Sequence, residues 1–209
     1  MASPVRIPGD VIIDGSLTLL DELLPGLTRS SLTQEDTSRF PIPLEAFRVW
    51  DAHQTLLTTA ASDDLGITTG TWGTDVPYIS AGDVKASSGT RRAGFIFQVP
   101  MNYVAGKTLR VKFVAGMKTT VASSSCTIDL ELYKSAATLL VDGSDLVTTS
   151  ATTINSTTLS DIYFDLTYTG LIPGDWMHGR VSIAYNDGAT ATAVIPSIAH
   201  SEFICATKG

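Results

Sequence analysis

The stretch "CTIDLELY", residues 126–133, alternates between apolar and polar side chains so regularly that a strand sorts it cleanly. In an extended chain Ile128, Leu130 and Leu132 share one face, and Asp129, Glu131 and Tyr133 share the other. The same period of two recurs in "FIFQV" (95–99), "LRVKFVAG" (109–116), "IYFDLTYT" (162–169) and "GRVSIAY" (179–185), and "LLVDG" and "SEFICA" add two further candidates. Charged residues make up 17% of the chain, against roughly 25% in ordinary globular domains. Thr, Ser, Gly and Ala take up the difference, which suits strands and turns. About eight short strands with hardly any helical periodicity predict an all-β fold, an antiparallel β-sandwich. Connections as long as "TTGTWGTDVPYISAGDVKASSGT" predict the sheet-to-sheet crossings of a jelly roll. Asn186-Asp187-Gly188 predicts a hairpin turn between "VSIAY" and "ATATAVI".

Residues 1–45 are patterned differently and are predicted to form an extended N-terminal arm, with the sandwich domain over residues 46–209. Gly9-Asp10 and Asp14-Gly15 are turn pairs around Val11, Ile12 and Ile13, an apolar triplet that a short solitary strand cannot shelter from water. Leu20, Leu23, Leu24 and Leu27 fall at helical spacing, but Pro25-Gly26 interrupts them and limits any helix to a turn or two. Ser31 and Gln34 have the spacing of a capping box, and Pro41 and Pro43 force extension. With no core of its own, the arm is expected to be covered by another copy of the chain or by a larger particle.

A formal charge of -7 argues against sequence-independent binding of nucleic acid, which needs a positive stripe. Arg91-Arg92, the densest basic spot, reads as a solvated strand start. No apolar run reaches the roughly 18 to 20 residues of a membrane-spanning helix, and "MASPVRIPGD" has no apolar signal region, so synthesis in a cytoplasm is expected. Cys126 and Cys205 are too few for a disulfide scaffold and read as buried thiols in strands. Without a secretion signal the glycosylation pattern Asn155-Ser156-Thr157 is discounted.

Catalytic and metal motifs are mostly excluded by their own spacing. "VAGKT" (104–108) looks like the end of a phosphate loop, yet the first glycine position is Met101 and "LRVKF" after it is a strand. No G-x-S-x-G occurs. On a strand His200 and Glu202 share a face while Cys205 takes the opposite one, which argues against a metal site; His53 and His178 are isolated. Asp63-Asp64, "DGSD" (142–145) and "NDG" (186–188) lack the ligand ladder of a calcium loop and read as turns. Asp129 with Glu131 is the close strand-borne carboxylate pair that a glycosidase would need, and a solvated face explains it equally well. No enzyme activity, cofactor or metal is therefore expected. Trp72 in "TGTWGTDVPY" is expected to plug the end of the sandwich, as are Trp50 and Trp176. Should its ring prove accessible, Trp72, with Tyr78 near it, is the candidate platform for a sugar.

The blocks "SSLTQEDTSRFPIPLEAFRVWDA", "DDLGITTGTWG", "VPMNYVAGKTLRVKFVAGMKTTVA", "TIDLELY", "TINSTTLSDIYFDLT" and "LIPGDWMHGRVSIAYND" resemble a family of small jelly-roll virion proteins of tailed bacteriophages. "GDVIIDGSLTL" is similar to the short strand units near the N-termini of trimeric phage fibre and decoration proteins. The resemblance carries over no active-site residue. It implies a capsid decoration or cement protein on the virion surface, a homotrimer whose arm docks on the major capsid protein or another virion protein. Val11, Ile12 and Ile13, with Leu17, Leu20, Leu23 and Leu24 beside them, would then make the oligomer or capsid contacts, without nucleic acid or membrane. The alternative is a receptor- or carbohydrate-binding fibre or spike tip, which Trp72 or Tyr78 would serve.

Overall fold

The computed structural model describes residues 35–135, 140–189 and 191–208. The arm contacts expected of Val11, Ile12, Ile13, Leu17, Leu20, Leu23 and Leu24 lie outside them. The strands in chain order are β1 (Glu35–Pro41), β2 (Arg48–Val49), β3 (Ala52–Leu56), β4 (Gly66–Thr68), β5 (Tyr78–Ser80), β6 (Ser88–Gln98), β7 (Leu109–Met117), β8 (Ser125–Ser135), β9 (Val141–Asp142), β10 (Thr152–Thr153), β11 (Ser160–Leu166), β12 (Trp176–Asn186) and β13 (Pro196–Lys208). A 3-10 turn, Leu44–Ala46, follows Pro43.

Two antiparallel sheets result. The first runs β11-β7-β13-β5-β4, with β1 also paired to β13; the second runs β10-β8-β12-β6-β2-β3, with β9 on β8. From β5 onward the chain passes back and forth between the sheets, with β8, β9 and β10 together in the second, giving β5-β13-β7-β11 facing β6-β12-β8-β10. That order is a jelly roll, as the long connections predict. The alternation in β8 sorts as expected: Ile128, Leu130 and Leu132 are buried, while Asp129, Glu131 and Tyr133 are half-buried on the outer face.

Two expectations need correction. The sandwich begins at Glu35 rather than at residue 46. Residues Glu35 to Pro41, read from sequence as arm, pair along their whole length with β13, from Glu35 opposite Lys208 to Pro41 opposite Glu202. Asn186-Asp187-Gly188 does not turn a hairpin either. β12 ends at Asn186 in the second sheet and the chain crosses to β13 in the first. The Asp187 carboxylate fixes this crossing by accepting hydrogen bonds from Ser123 N–H (2.7 Å) and Ala86 N–H (3.0 Å), the latter in a residue held at φ 54.

Those backbone donors, Ser123 first and then Ala86, hold the Asp187 carboxyl below the ordinary carboxylate range. A group whose pKa falls on folding stabilises the fold above its unfolded pKa, about 3.9 for Asp, and that contribution is lost as the pH drops through the lower folded value. Urea midpoints are therefore expected to fall on acidification below about pH 4. Asp187→Asn should flatten that acid limb, and an unchanged slope would show that Asp187 has no such role.

The core lies between the sheets and is bridged by aromatic rings. Phe95 on β6 has ring centroids 4.9 Å from Phe47 and 6.4 Å from Phe113; Phe113 on β7 is 6.0 Å from Phe164 on β11, and Phe97 is 4.7 Å from Phe203 on β13. Both thiols are buried, as their strand contexts predict. Burial pushes Cys126 up to about 12 and Cys205 up to about 11, so neither holds a reactive thiolate at neutral pH. A thiol-specific chromogenic reagent should label them only in denaturant; prompt labelling of the native chain would contradict this packing.

Candidate functional site

The antiparallel hairpin β4–β5, with Thr68 opposite Tyr78, lies at the edge of the first sheet, and its loop carries "TGTWGTDVP" outward. Gly70 takes φ 65 and Gly73 φ 81, conformations that glycine adopts without strain. A Cβ at Gly70 would overlap the Asp75 side chain, whereas one at Gly73 would meet nothing. Asp75 fastens the loop: its Oδ2 accepts from Thr71 N–H (3.3 Å), and Thr71 O accepts from both Thr74 N–H (3.0 Å) and Asp75 N–H (2.9 Å). Trp72 stands on this turn with 97% of its surface exposed. It is no plug, because the glycines and threonines around it place nothing over the ring.

Val76, 65% exposed, continues the apolar surface, and with Trp72, Gly73 and Pro77 it lines an open cleft of about 640 Å³. Thr74, Asp75 and Val76 also form one wall of a cavity of about 350 Å³, within the usual size of small-ligand pockets. Tyr78 on β5, Met117 and Lys118 from the end of β7, Thr157 and Leu159 before β11, and Ser197 and Ala199 on β13 supply the remainder. Lys118 Nζ lies 3.2 Å from Asp75 Oδ1 and 4.5 Å above the Tyr78 ring. Contact with Tyr78 and then Asp75 outweighs partial desolvation and holds Lys118 above the ordinary lysine range. The Thr71 N–H and Lys118 hold Asp75 below the carboxylate range. Tyr78 itself is buried, so it is a floor beneath Lys118 and offers no free stacking face.

Sequence reasoning singled out Trp72 in the stretch that also contains Asp75, and passed over Lys118. Nothing in "AGMKTT" signals a partner 43 residues away; only the pairing of β7 with β13 and of β13 with β5 brings it there.

The other candidate residues have structural partners. Trp50 on the outer face of the second sheet lies beneath two guanidiniums, Arg92 at 5.4 Å and Arg180 at 5.2 Å, and its Nε1–H donates to Asp63 Oδ2 (3.1 Å). Arg180 pairs with Glu131. Burial chiefly, then Glu131 and Asp145, raises the Asp129 carboxyl. Asp129 Oδ1 accepts from Leu130 N–H (3.0 Å). Asp145 Oδ1 accepts from Leu132 N–H and Val147 N–H. Glu202 bridges Lys112 and Arg39. His178 Nε2 lies 2.6 Å from Ser135 Oγ, and burial followed by the neighbouring His53 lowers its pKa. Among the described residues no group of three His, Cys, Asp or Glu is placed to hold a metal ion, and no helix is long and apolar enough to cross a membrane. Asn155 Oδ1 accepts from Ala122 N–H (2.7 Å) and its Nδ2–H donates to Ala122 O (3.1 Å), so its amide is engaged in the fold.

No protein-family model matches the chain, and no curated protein matches its sequence. Among solved structures it is similar to the CBM22-1 xylan-binding domain of Paenibacillus barcinonensis Xyn10C, at 8% identity and TM-score 0.38 over 70% of this chain and 82% of that one. It is similar also to the K1 cleaved adhesin domain of Lys-gingipain from Porphyromonas gingivalis W83, at 11% identity and TM-score 0.37 over 81% and 97% of the two chains. A third likeness, at 12% identity and TM-score 0.35, is to a carbohydrate-binding module of the β-sandwich superfamily, 57% of which is covered by 82% of this chain. Nothing is carried over from structures at TM-scores below 0.4; it is the chain's own two antiparallel sheets that make it a β-sandwich.

Proposed function

We propose that this chain is a non-catalytic binding module that recognises carbohydrate through the Trp72 loop, in the manner of a fibre or spike tip. The observation that carries the reading is the ring of Trp72, held clear of the sandwich by a fastened turn and set beside a cleft. A large apolar side chain has its greatest free energy to gain when something flat covers it, and a sugar ring presents such a face. Covering about 100 Å² of apolar surface at about 25 cal/mol/Å² is worth roughly 2.5 kcal/mol. Trp72→Ala is therefore expected to weaken polysaccharide binding by about tenfold or more and to leave the thermal unfolding midpoint unchanged, as affinity electrophoresis and calorimetry would show. Unaltered binding would remove Trp72 from the site.

A second reading is a virion decoration or cement protein, a trimer attached through residues 1–34. Supporting it are the resemblance to phage virion proteins and a second exposed apolar group. Trp176, 52% exposed at the start of β12, follows the loop that carries Ile172, where a Cβ at Gly174 would meet Met101 Sδ. Light scattering of the full chain against a chain starting at Glu35 tests it. A trimer that falls to a folded monomer on truncation supports attachment through the arm, and two monomers count against it.

A further inference from the structure

We propose that the adjoining depressions lined by Trp72 and by Lys118 take an uncharged sugar, with Trp72 carrying the apolar face of the ring and the Asp75–Lys118 pair engaging two adjacent hydroxyls. This rests on the carbohydrate reading and adds the chemical class of the ligand. The open cleft lined by Trp72 and the cavity lined by Lys118 have Thr74, Asp75 and Val76 in common, so the two adjoin along these residues. At that wall Asp75 Oδ1 and Lys118 Nζ stand 3.2 Å apart. They form a fixed acceptor beside a fixed donor, and a vicinal diol can donate to one and accept from the other.

Charge selects against acidic sugars. The ammonium that lines the cavity is already neutralised by Asp75, so an incoming carboxylate or sulfate would have to displace that partner and leave Asp75 facing it. The chain as a whole carries -7, which repels a polyanion during approach. The rest of the lining carries no charge, from the hydroxyl residues Thr74, Tyr78, Thr157 and Ser197 to the apolar Val76, Met117, Leu159 and Ala199. Such a surface suits the C–H and O–H edges of a neutral ring.

The full chain would be titrated by affinity electrophoresis and calorimetry against neutral polysaccharides (xylan, mannan, dextran) and polyuronates (polygalacturonate, alginate) at low salt. Binding is expected to at least one neutral polymer and to neither polyuronate, with a loss of about tenfold or more in Trp72→Ala. Asp75→Asn frees the Lys118 charge. It should weaken the neutral polymer by about tenfold and confer polyuronate binding that fades with salt. Lys118→Met, the second variant should Asp75→Asn fail to unfold cooperatively, should weaken the neutral polymer similarly with no gain for polyuronates. Polyuronate binding by the native chain that depends on Trp72 would overturn the uncharged-sugar inference while the carbohydrate reading stands. Binding to none of these polymers, or binding indifferent to Trp72, would overturn both.

Discussion

Phe95→Ala is expected to lower the unfolding free energy by about 4 kcal/mol, a large share of the roughly 5–15 kcal/mol that holds a domain together. Phe95 is fully buried, and its ring links β6 of one sheet to Phe113 on β7 of the other, so truncation empties space that both sheets line. The ring lies directly over Gly179, its cross-strand partner on β12, where an added Cβ would penetrate the ring. Gly179→Ala alone should therefore cost about 1–3 kcal/mol through overpacking. Combined with Phe95→Ala it should cost less than the sum, because the ring that the methyl strikes is gone. Urea unfolding of the two single variants and the double checks this, and strict additivity would show that the ring and the glycine do not share the space.

Glu202→Ala should cost about 3 kcal/mol, whereas Lys112→Met should change stability by less than about 1 kcal/mol or raise it. Lys112 lies on the outer face of β7 with its side chain 7% exposed; its Nζ is 3.2 Å from Glu202 Oε2 and 3.6 Å from Asp161 Oδ2. Removing Glu202 strips the nearer carboxylate from a buried ammonium and leaves only Asp161. Replacing the lysine by an apolar side chain of similar length removes the charge that needed partners. The asymmetry is the test: equal losses in urea unfolding would mean that the pair is worth no more than a surface contact.

Much of the sandwich was legible because strand period is local. Ile128, Leu130 and Leu132 alternate within eight residues, and one face of β8 had to be inside whatever its neighbours were. Partner choice is not local, and the misreadings follow from that. "EDTSRFP" has no apolar alternation, since β1 is an added strand whose hydrogen bonds go to β13, so it resembled the arm. Asn186-Asp187-Gly188 carries genuine turn chemistry, but whether the next strand returns beside β12 or crosses to the other sheet depends on Ser123 and Ala86, far away in sequence. The accessibility of Trp72 depended on what lies above one ring, and Lys118 became part of the site only through two strand pairings.

The place of β13 bears on how the chain is made. This strand, the last among the described residues, supplies pairing to β7 along one side and to β1 and β5 along the other. Until the ribosome has released residues 196–208, the first sheet has no centre: β1, β4 and β5 have nothing to join them to β7 and β11. The apolar faces of both sheets therefore wait for residues 196–208 to emerge, and a topology that depends on such long-range pairing folds slowly. A stop codon before Pro196 would yield an aggregating chain in place of a shortened domain.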